Sequence, residues 1–157
     1  MAELPKVGLG GREQNERRLV ERLLRHWTAV ALGKRFPRPD EIDPWIADDR
    51  ANCLLIAVEA PMELSHFVAV GENLAVALGA KDTVAGLLLS HLPRVVAGRR
   101  CLIIEGGATH RGTPVLFRGA LLPLSEDGLT IDHVLGATNY RVVVGQLTRQ
   151  PVRLRWA

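Results

Sequence analysis

The stretch Cys101–Leu147, CLIIEGGATHRGTPVLFRGALLPLSEDGLTIDHVLGATNYRVVVGQL, contains three extended apolar segments separated by short turn sequences. The segments are CLIIEGGATHRG, TPVLFRGALLPLS and GLTIDHVLGATNYRVVVGQL. Turn residues occur at His110–Thr113 and again in SEDG, at Ser125–Gly128. Because strands joined by such short turns pair with their neighbours, this stretch predicts an antiparallel meander.

Two further strands and a helical region are predicted before this meander. CLLIAVEA and SHFVAV are short apolar runs on either side of Pro61, and we expect them to form a hairpin. ENLAVALGA predicts a short helix. DTVAGLLLSHLPRVVAGRR predicts a longer helix, which is capped by Asp82 or Thr83 and bent or interrupted near Pro93.

An amphipathic helix is predicted over residues 13–33, after a flexible leader over residues 1–12. Its apolar residues recur at three- and four-residue steps, with charged residues on the other side. Such a stripe must be covered by the chain's own sheet or by another subunit. We expect it to make the contacts of a homodimer. The residues expected at that contact are Leu19, Leu23, Trp27 and Val30.

The octapeptide PRPDEIDP, Pro37–Pro44, poses a choice between a carboxylate site and a turn. Its three prolines exclude a regular helix, because proline donates no backbone hydrogen bond and restricts the residue before it. Asp43 and Pro44 fit a helix cap followed by a first-turn proline. The carboxylates lack the spacing of a calcium loop. The segment is therefore interpreted as a turn that leads into a short helix, PWIADDR.

The order of these elements predicts the fold class. A helix, two strands, a helical middle and three more strands pack economically as an α+β fold. We expect a five-stranded antiparallel sheet with helices on one face and an N-terminal amphipathic helix. The chain of 157 residues is expected to form one such domain over residues 34–145, followed by a tail over residues 146–157.

Composition narrows the range of partners. The net charge is only +3, the arginines are scattered and aromatic residues are few, which argues against a nucleic-acid surface. No apolar run approaches the ~20 residues that span a bilayer, so the chain is expected to be cytoplasmic. Cys53 and Cys101 lack metal or disulfide spacing and are interpreted as buried thiols, and no metal site is predicted.

At this point the chain resembles a known family, the small stand-alone PAS-domain proteins common in alphaproteobacteria. The matching segments are HWTAVALGKRFPRPDEIDP, the pair Val70-Gly71 and LLPLSEDGLTIDHVLGA at Leu121–Ala137. The order of helices and strands is also the PAS order. The resemblance implies a domain that senses or relays signals, often dimerises through a flanking helix, and sometimes holds a small ligand between its sheet and central helix.

The resemblance also suggests where a ligand would lie. The expected lining is Phe67, Val84, Leu87, Leu88, His91, Val115 and Phe117, although the same residues could simply pack the core. Haem-binding PAS domains use a histidine of the central helix, where His91 lies, but a structural histidine is the simpler interpretation and haem is not expected. A flavin photocycle is rejected, because NCLLIA at 52–57 differs from the NCRFLQ motif of flavin photosensors.

The sequence therefore predicts a non-enzymatic PAS-type module of bacterial signalling, either a sensor or a protein-interaction domain. Its signalling partner is not identified by the sequence, and no catalytic residue is assigned. The alternative is a small-molecule enzyme, in which Glu105, His110 and His133 on the last three strands would form an acid/base set.

Overall fold

The computed structural model describes residues 5–32, 36–42, 45–75, 83–143 and 151–157, and it has an α+β fold with helices on both faces of one antiparallel sheet. The strands are β1 (Cys53–Ala57), β2 (His66–Val70), β3 (Leu102–His110), β4 (Thr113–Leu124), β5 (His133–Val142) and β6 (Arg153–Trp156). The helices are α1 (Pro5–Ala31), α2 (Pro39–Ile42), α3 (Glu72–Ala75), α4 (Val84–Ser90) and α5 (Leu92–Gly98), with 3-10 helices at Trp45–Asn52 and Met62–Leu64. No described helix is long and apolar enough to cross a membrane.

The strands lie in the order β2-β1-β5-β4-β3-β6, and each neighbouring pair is antiparallel. The predicted hairpin of β1 with β2 and the predicted meander of β3, β4 and β5 are thereby confirmed. In the turn between β3 and β4, Arg111 and Gly112 both have positive φ, at 53° and 82°. Positive φ at both central residues is the conformation of a type I′ turn, one of the two favoured two-residue hairpin turns.

The sheet has six strands, so the prediction of five was wrong. The sixth strand, β6, lies in the predicted tail, and it pairs with β3 from Leu102 opposite Trp156 to Glu105 opposite Arg153. Its sequence RLRW is too short to establish a period-two pattern, so the sequence did not distinguish it from a polar segment. Residues 146–150 of the predicted tail lie outside the described part.

The expectation of helices on one face was also wrong, because the sheet buries a separate apolar cluster on each face. On one side, here called the α4 face, the sheet packs against α3, α4 and α5. On the other side, the α1 face, it packs against α1. Strand β4 serves both clusters, since Leu121 points to the α4 face and its neighbours Ala120 and Leu122 point to the α1 face.

The apolar stripe of α1 is covered by the chain's own sheet. Leu19 and Leu23 are each 1 % exposed, and Val30 is half-buried beside them. The indole Nε1 of Trp27 donates to the carbonyl oxygen of Pro123 at 2.8 Å, which fixes the helix to the end of β4. The stripe therefore supplies no argument for a dimer. The helix also begins at Pro5, within the segment predicted to be a leader.

The segment Pro37–Pro44 is a turn, as predicted, in the part that the structure describes. It contains the single-turn helix α2, and the backbone N–H of Ser125 donates to the carbonyl oxygen of Pro37 at 2.9 Å. Glu41 accepts from the backbone N–H of Arg38 at 3.1 Å, so this carboxylate stabilises the turn. The predicted cap Asp43 and Pro44 lie outside the described residues, and the following helix is of the 3-10 type.

Gly71 marks a close approach between two segments of backbone. Its N–H donates to the carbonyl oxygen of Cys53 at 2.7 Å, where β2 ends beside β1. A Cβ at this position would collide with the carbonyl oxygens of Arg50 and Ala51. Because these are backbone atoms, a substitution has to move the main chain rather than a side chain.

We predict that Gly71→Ala destabilises the fold by about 1–3 kcal/mol, as expected for inserting a methyl group into a packed site. The measurement is the free energy of unfolding in urea. Ala69→Ser, at an exposed residue of β2 two positions before Gly71, is the matched control, and it should change that free energy by less than about 0.5 kcal/mol. Equal stability of Gly71→Ala and the wild type would contradict the close approach.

Candidate functional site

The structure brings most of the predicted pocket residues together beneath α4. Val84, Leu88, Val115 and Phe117 belong to the core cluster of the α4 face and are at most 3 % exposed, and half-buried Phe67 and Leu87 pack against it. Whether they also form a ligand pocket stays a prediction. Phe67 and Leu87 lie at the exposed edge of this interior. Half-buried side chains can move with a smaller loss of packing contacts than fully buried ones.

His91 lies at the junction of α4 and α5, where the two helices meet. Its backbone N–H donates to the carbonyl oxygen of Leu88 at 3.0 Å, and the interruption predicted near Pro93 falls at this residue. Partial burial, with a smaller contribution from the charge of Arg94, lowers the pKa of the imidazole. This shift favours the neutral form of the ring.

A cluster of polar groups closes one end of the interior beneath α4. The backbone N–H of Val84 donates to Nδ1 of His110 at 3.2 Å, so this ring nitrogen must be an acceptor. The His110 ring packs against the Tyr140 ring at a tilt of 36°, with centroids 4.6 Å apart, and the Tyr140 hydroxyl lies 3.5 Å from the carbonyl oxygen of Asn73. We call His110, Tyr140 and Asn73 the polar rim. No local sequence pattern predicts this rim, because its contacts join α3, α4, β3 and β5.

The proposed acid/base set is not assembled. Glu105 lies on the α1 face, where its Oε2 is 3.2 Å from Nη1 of Arg118, whereas His110 lies on the α4 face. His133 begins β5 and its Nδ1 is 2.8 Å from a carboxylate oxygen of Asp132. The strand register places Glu105 level with Asn139, about 20 Å along β5 from His133 at ~3.4 Å per residue.

An apolar cleft of about 230 Å³ opens on the α1 face beside β2, and the sequence did not predict it. Its lining is Pro39, Ile42, Arg50, Cys53, Leu54, Leu55, Ala69, Val70, Gly71, Leu124 and Leu135. Burial raises the pKa of the Cys53 thiol to about 12, so the sulfur stays protonated and weakly nucleophilic. Cys101 is buried in the same way with its pKa raised to about 12, which confirms both cysteines as buried thiols.

A second, polar cleft of about 350 Å³ lies between Phe36 and the SEDG turn. Oδ1 of Asp127 accepts from the backbone N–H groups of Leu129 and Thr130, each at 2.8 Å, and from the hydroxyl of Ser125 at 2.7 Å. These hydrogen bonds lower the pKa of Asp127 to about 2. The acidic residues here thus stabilise a turn. Nowhere in the described segments do three His, Cys, Asp or Glu residues lie close enough to hold a metal ion.

The fold and these sites define a class of protein, an α+β sheet domain with a helix-covered apolar interior and a polar rim at one end. Comparison with known proteins adds no narrower assignment: no family model, no curated protein and no solved structure matches the chain. None of the seven predicted pocket residues lines either of the two clefts. The interior beneath α4 is the candidate site because its apolar cluster meets the polar rim at one end.

The start of α4 yields a prediction about stability. The hydroxyl of Thr83 accepts from the backbone N–H of Gly86 at 3.0 Å and caps the helix, so Thr83 is the cap among the two residues predicted for it. The other, Asp82, lies outside the described residues. We expect Thr83→Ala to lower the free energy of unfolding by about 1 kcal/mol, because the helix loses its capping oxygen. Thr83→Ser keeps that oxygen and should cost less than half as much in the same urea titration. Equal losses in the two variants would show that packing, rather than capping, explains the effect.

The Asp127 turn yields a prediction about pH. Because the pKa of this carboxylate in the folded protein, about 2, lies below its ordinary value of 3.8, its charge stabilises the fold above pH 3.8 and that contribution is lost as pH falls towards 2. We expect Asp127→Asn to have a lower melting temperature than the wild type at pH 6. The difference should shrink between pH 4 and pH 2.5. Circular dichroism melts across this range test it, and a constant difference would contradict the assignment.

Proposed function

We propose that this chain is a non-enzymatic, PAS-like module of bacterial signalling, which takes a small ligand between its sheet and α4 and passes the signal on by protein contact. The observation that carries the proposal is the interior beneath α4, where an apolar cluster meets the polar rim. The resemblance in sequence supplied the expectation of such a site, and the geometry of the rim supports it.

The arrangement of the elements supports the PAS-like part of the proposal. The resemblance implies two strands, a helical middle and three strands in one antiparallel sheet. Strands β1 to β5, with α3, α4 and α5 between β2 and β3, fit that arrangement. Strand β6 and the cover of α1 on the second face are additions to it.

The composition of the interior indicates the chemistry of the ligand. Phe67, Leu87 and Phe117 offer apolar contact, while His110 and Tyr140 place hydrogen-bonding groups at one end. Ligand sites of this kind are mostly apolar, with a few polar groups that fix the orientation. The site therefore fits a small and largely apolar molecule that carries one polar end.

The two faces of the sheet suggest how such binding would reach a partner. Strands β4 and β5 contribute side chains to the cluster beneath α4 and to the cluster beneath α1. A ligand that binds one arrangement of the α4 face more tightly would shift the population towards it, and the shift is limited by that difference in affinity. Helix α1 packs against the same strands, and we propose that it forms the surface that contacts the signalling partner.

The alternative of an enzyme has less support. It requires Glu105, His110 and His133 to approach one another, and general acid/base catalysis needs its groups within hydrogen-bond reach of the same substrate. Glu105 and His110 lie on opposite faces, and His133 lies at the far end of β5. No substrate of ordinary size would contact all three.

We predict that native mass spectrometry of the full chain, purified from bacterial cytoplasm, reveals a bound molecule of constant mass that is lost on denaturation. Leu87→Trp fills the half-buried side of the interior and should reduce the bound fraction at least tenfold. The matched control is Val68→Trp, because Val68 is 54 % exposed on β2 and contributes nothing to the interior. That control should retain the bound molecule.

Tyr140→Phe keeps the ring and removes only the hydroxyl, so it tests the polar rim separately. We expect it to weaken binding by a factor of about 10, the value of one hydrogen bond of ~1.4 kcal/mol. A wild-type chain with no bound molecule would contradict the proposed ligand site. A bound molecule that Leu87→Trp and Tyr140→Phe retain as well as the wild type does would place the ligand elsewhere and contradict it equally.

A further inference from the structure

Two glycines on different elements make room for the segment that contains β6. A Cβ at Gly98, the last residue of α5, would overlap the Trp156 ring, with Cζ3 of the indole at 2.9 Å. A Cβ at Gly106 in β3 would meet Cα of Val152 at 2.8 Å and also the carbonyl of Pro151. Because neither glycine has a side chain, residues 151–157 fit closely against α5 and β3. We call the surface that they occupy, which consists of the edge of β3 with Gly98 and Gly106, the seat.

The seat recognises both the backbone and the side chains of this segment. The ladder pairs β6 with β3, and the N–H of Ala157 donates to the carbonyl oxygen of Cys101 at 2.9 Å. Leu154 packs against the cluster of the α4 face, and the Arg100 guanidinium lies 5.7 Å from the centroid of the Trp156 ring. Arg153 stands opposite Glu105, which gives one pair of opposite charge across the ladder.

This segment forms one edge of the sheet, where local opening breaks few contacts. Strand β6 lies at the edge and pairs with β3 alone, and Trp156 remains 39 % exposed. Its departure breaks one ladder of four residue pairs, and among residues 151–157 only half-buried Leu154 packs against either cluster. Local opening of this kind requires less free energy than global unfolding.

We propose that the edge of β3, with Gly98 and Gly106, is a strand-binding site, and that segment 151–157 of a second copy replaces the chain's own segment to form a strand-exchanged dimer. The exchanged segment makes the same ladder and fills the same two spaces, so exchange costs little beyond association. A second copy is the partner that the seat fits, because it carries the one sequence for which the seat is observed to be shaped. This strand-binding site is separate from the proposed ligand site and shares none of its residues.

The test uses two full-length chains, each with one new cysteine. Glu105→Cys and Arg153→Cys sit directly opposite in the ladder, at a separation that a disulfide can bridge. The native Cys53 and Cys101 are buried in the closed chain, and each variant oxidised alone reports any link that forms through them. When the two variants are mixed and gently oxidised, exchange predicts a disulfide-linked heterodimer on a non-reducing gel, above the background of either variant alone.

Three controls make the result decisive. The double variant Glu105→Cys/Arg153→Cys in a single chain should close within that chain, which checks the register. Adding Gly98→Val to the Glu105→Cys chain blocks the space for the indole and should reduce the heterodimer at least tenfold. Adding Trp156→Ala to the Arg153→Cys chain removes the indole itself and should also reduce the heterodimer. Because Trp156 is partly exposed, this change leaves the core undisturbed.

Closure of the double variant without any heterodimer from the mixed chains would overturn the proposal, because the strand would then dock only within its own chain. A heterodimer that forms equally well with Gly98→Val and with Trp156→Ala would also overturn it, because the link would then not depend on the seat. A heterodimer that both changes suppress supports strand exchange.

Discussion

The pairing of β4 with β5 at the centre of the sheet is the constraint on which the other elements depend. These two long strands pair from Val115 opposite Val142 to Leu124 opposite His133, and their alternating side chains are buried on both faces. A strand buried on both faces needs a layer on each side, because neither row of apolar side chains can face water. Helix α1 supplies one layer, and α4 with α5 supplies the other. Strands β1 and β3 then pair with the outer edges of this central pair.

The candidate site follows from the same arrangement. The layer beneath α4 is a core in its own right, so the residues that would contact a ligand are also residues that stabilise the fold. Phe67 and Leu87, which are half-buried, are the side chains that can yield space at modest cost. The polar rim lies at the end of the layer, where His110 already accepts a hydrogen bond from the backbone N–H of Val84 and its ring already packs against Tyr140. A ligand here would replace existing interactions rather than fill an empty cavity.

The sequence predicted the first five strands and the helical middle with its interruption near Pro93, because the patterns typical of strands and helices lie within each segment. It could not predict which surface covers α1, since a stripe such as Leu19 and Leu23 shows that a cover exists without identifying it. Strand β6 was missed because four residues carry too little pattern. The acid/base set failed for a different reason: the distance between Glu105 and His133 depends on strand register, which no local pattern encodes. The cleft beside β2 joins residues from several distant segments and had no signal at all.

The position of α1 has a consequence for the way the chain is made. During synthesis α1 precedes every strand, yet the surface that buries it belongs to β4 and β5, more than 90 residues later at the Trp27 contact with Pro123. Its apolar residues therefore stay uncovered while the ribosome adds the middle of the chain, at roughly 5–20 residues per second for several seconds. Contacts so distant along the chain also slow the folding of a finished molecule. A chaperone that shields α1 in this interval would act on the same stripe that later holds the helix to the sheet.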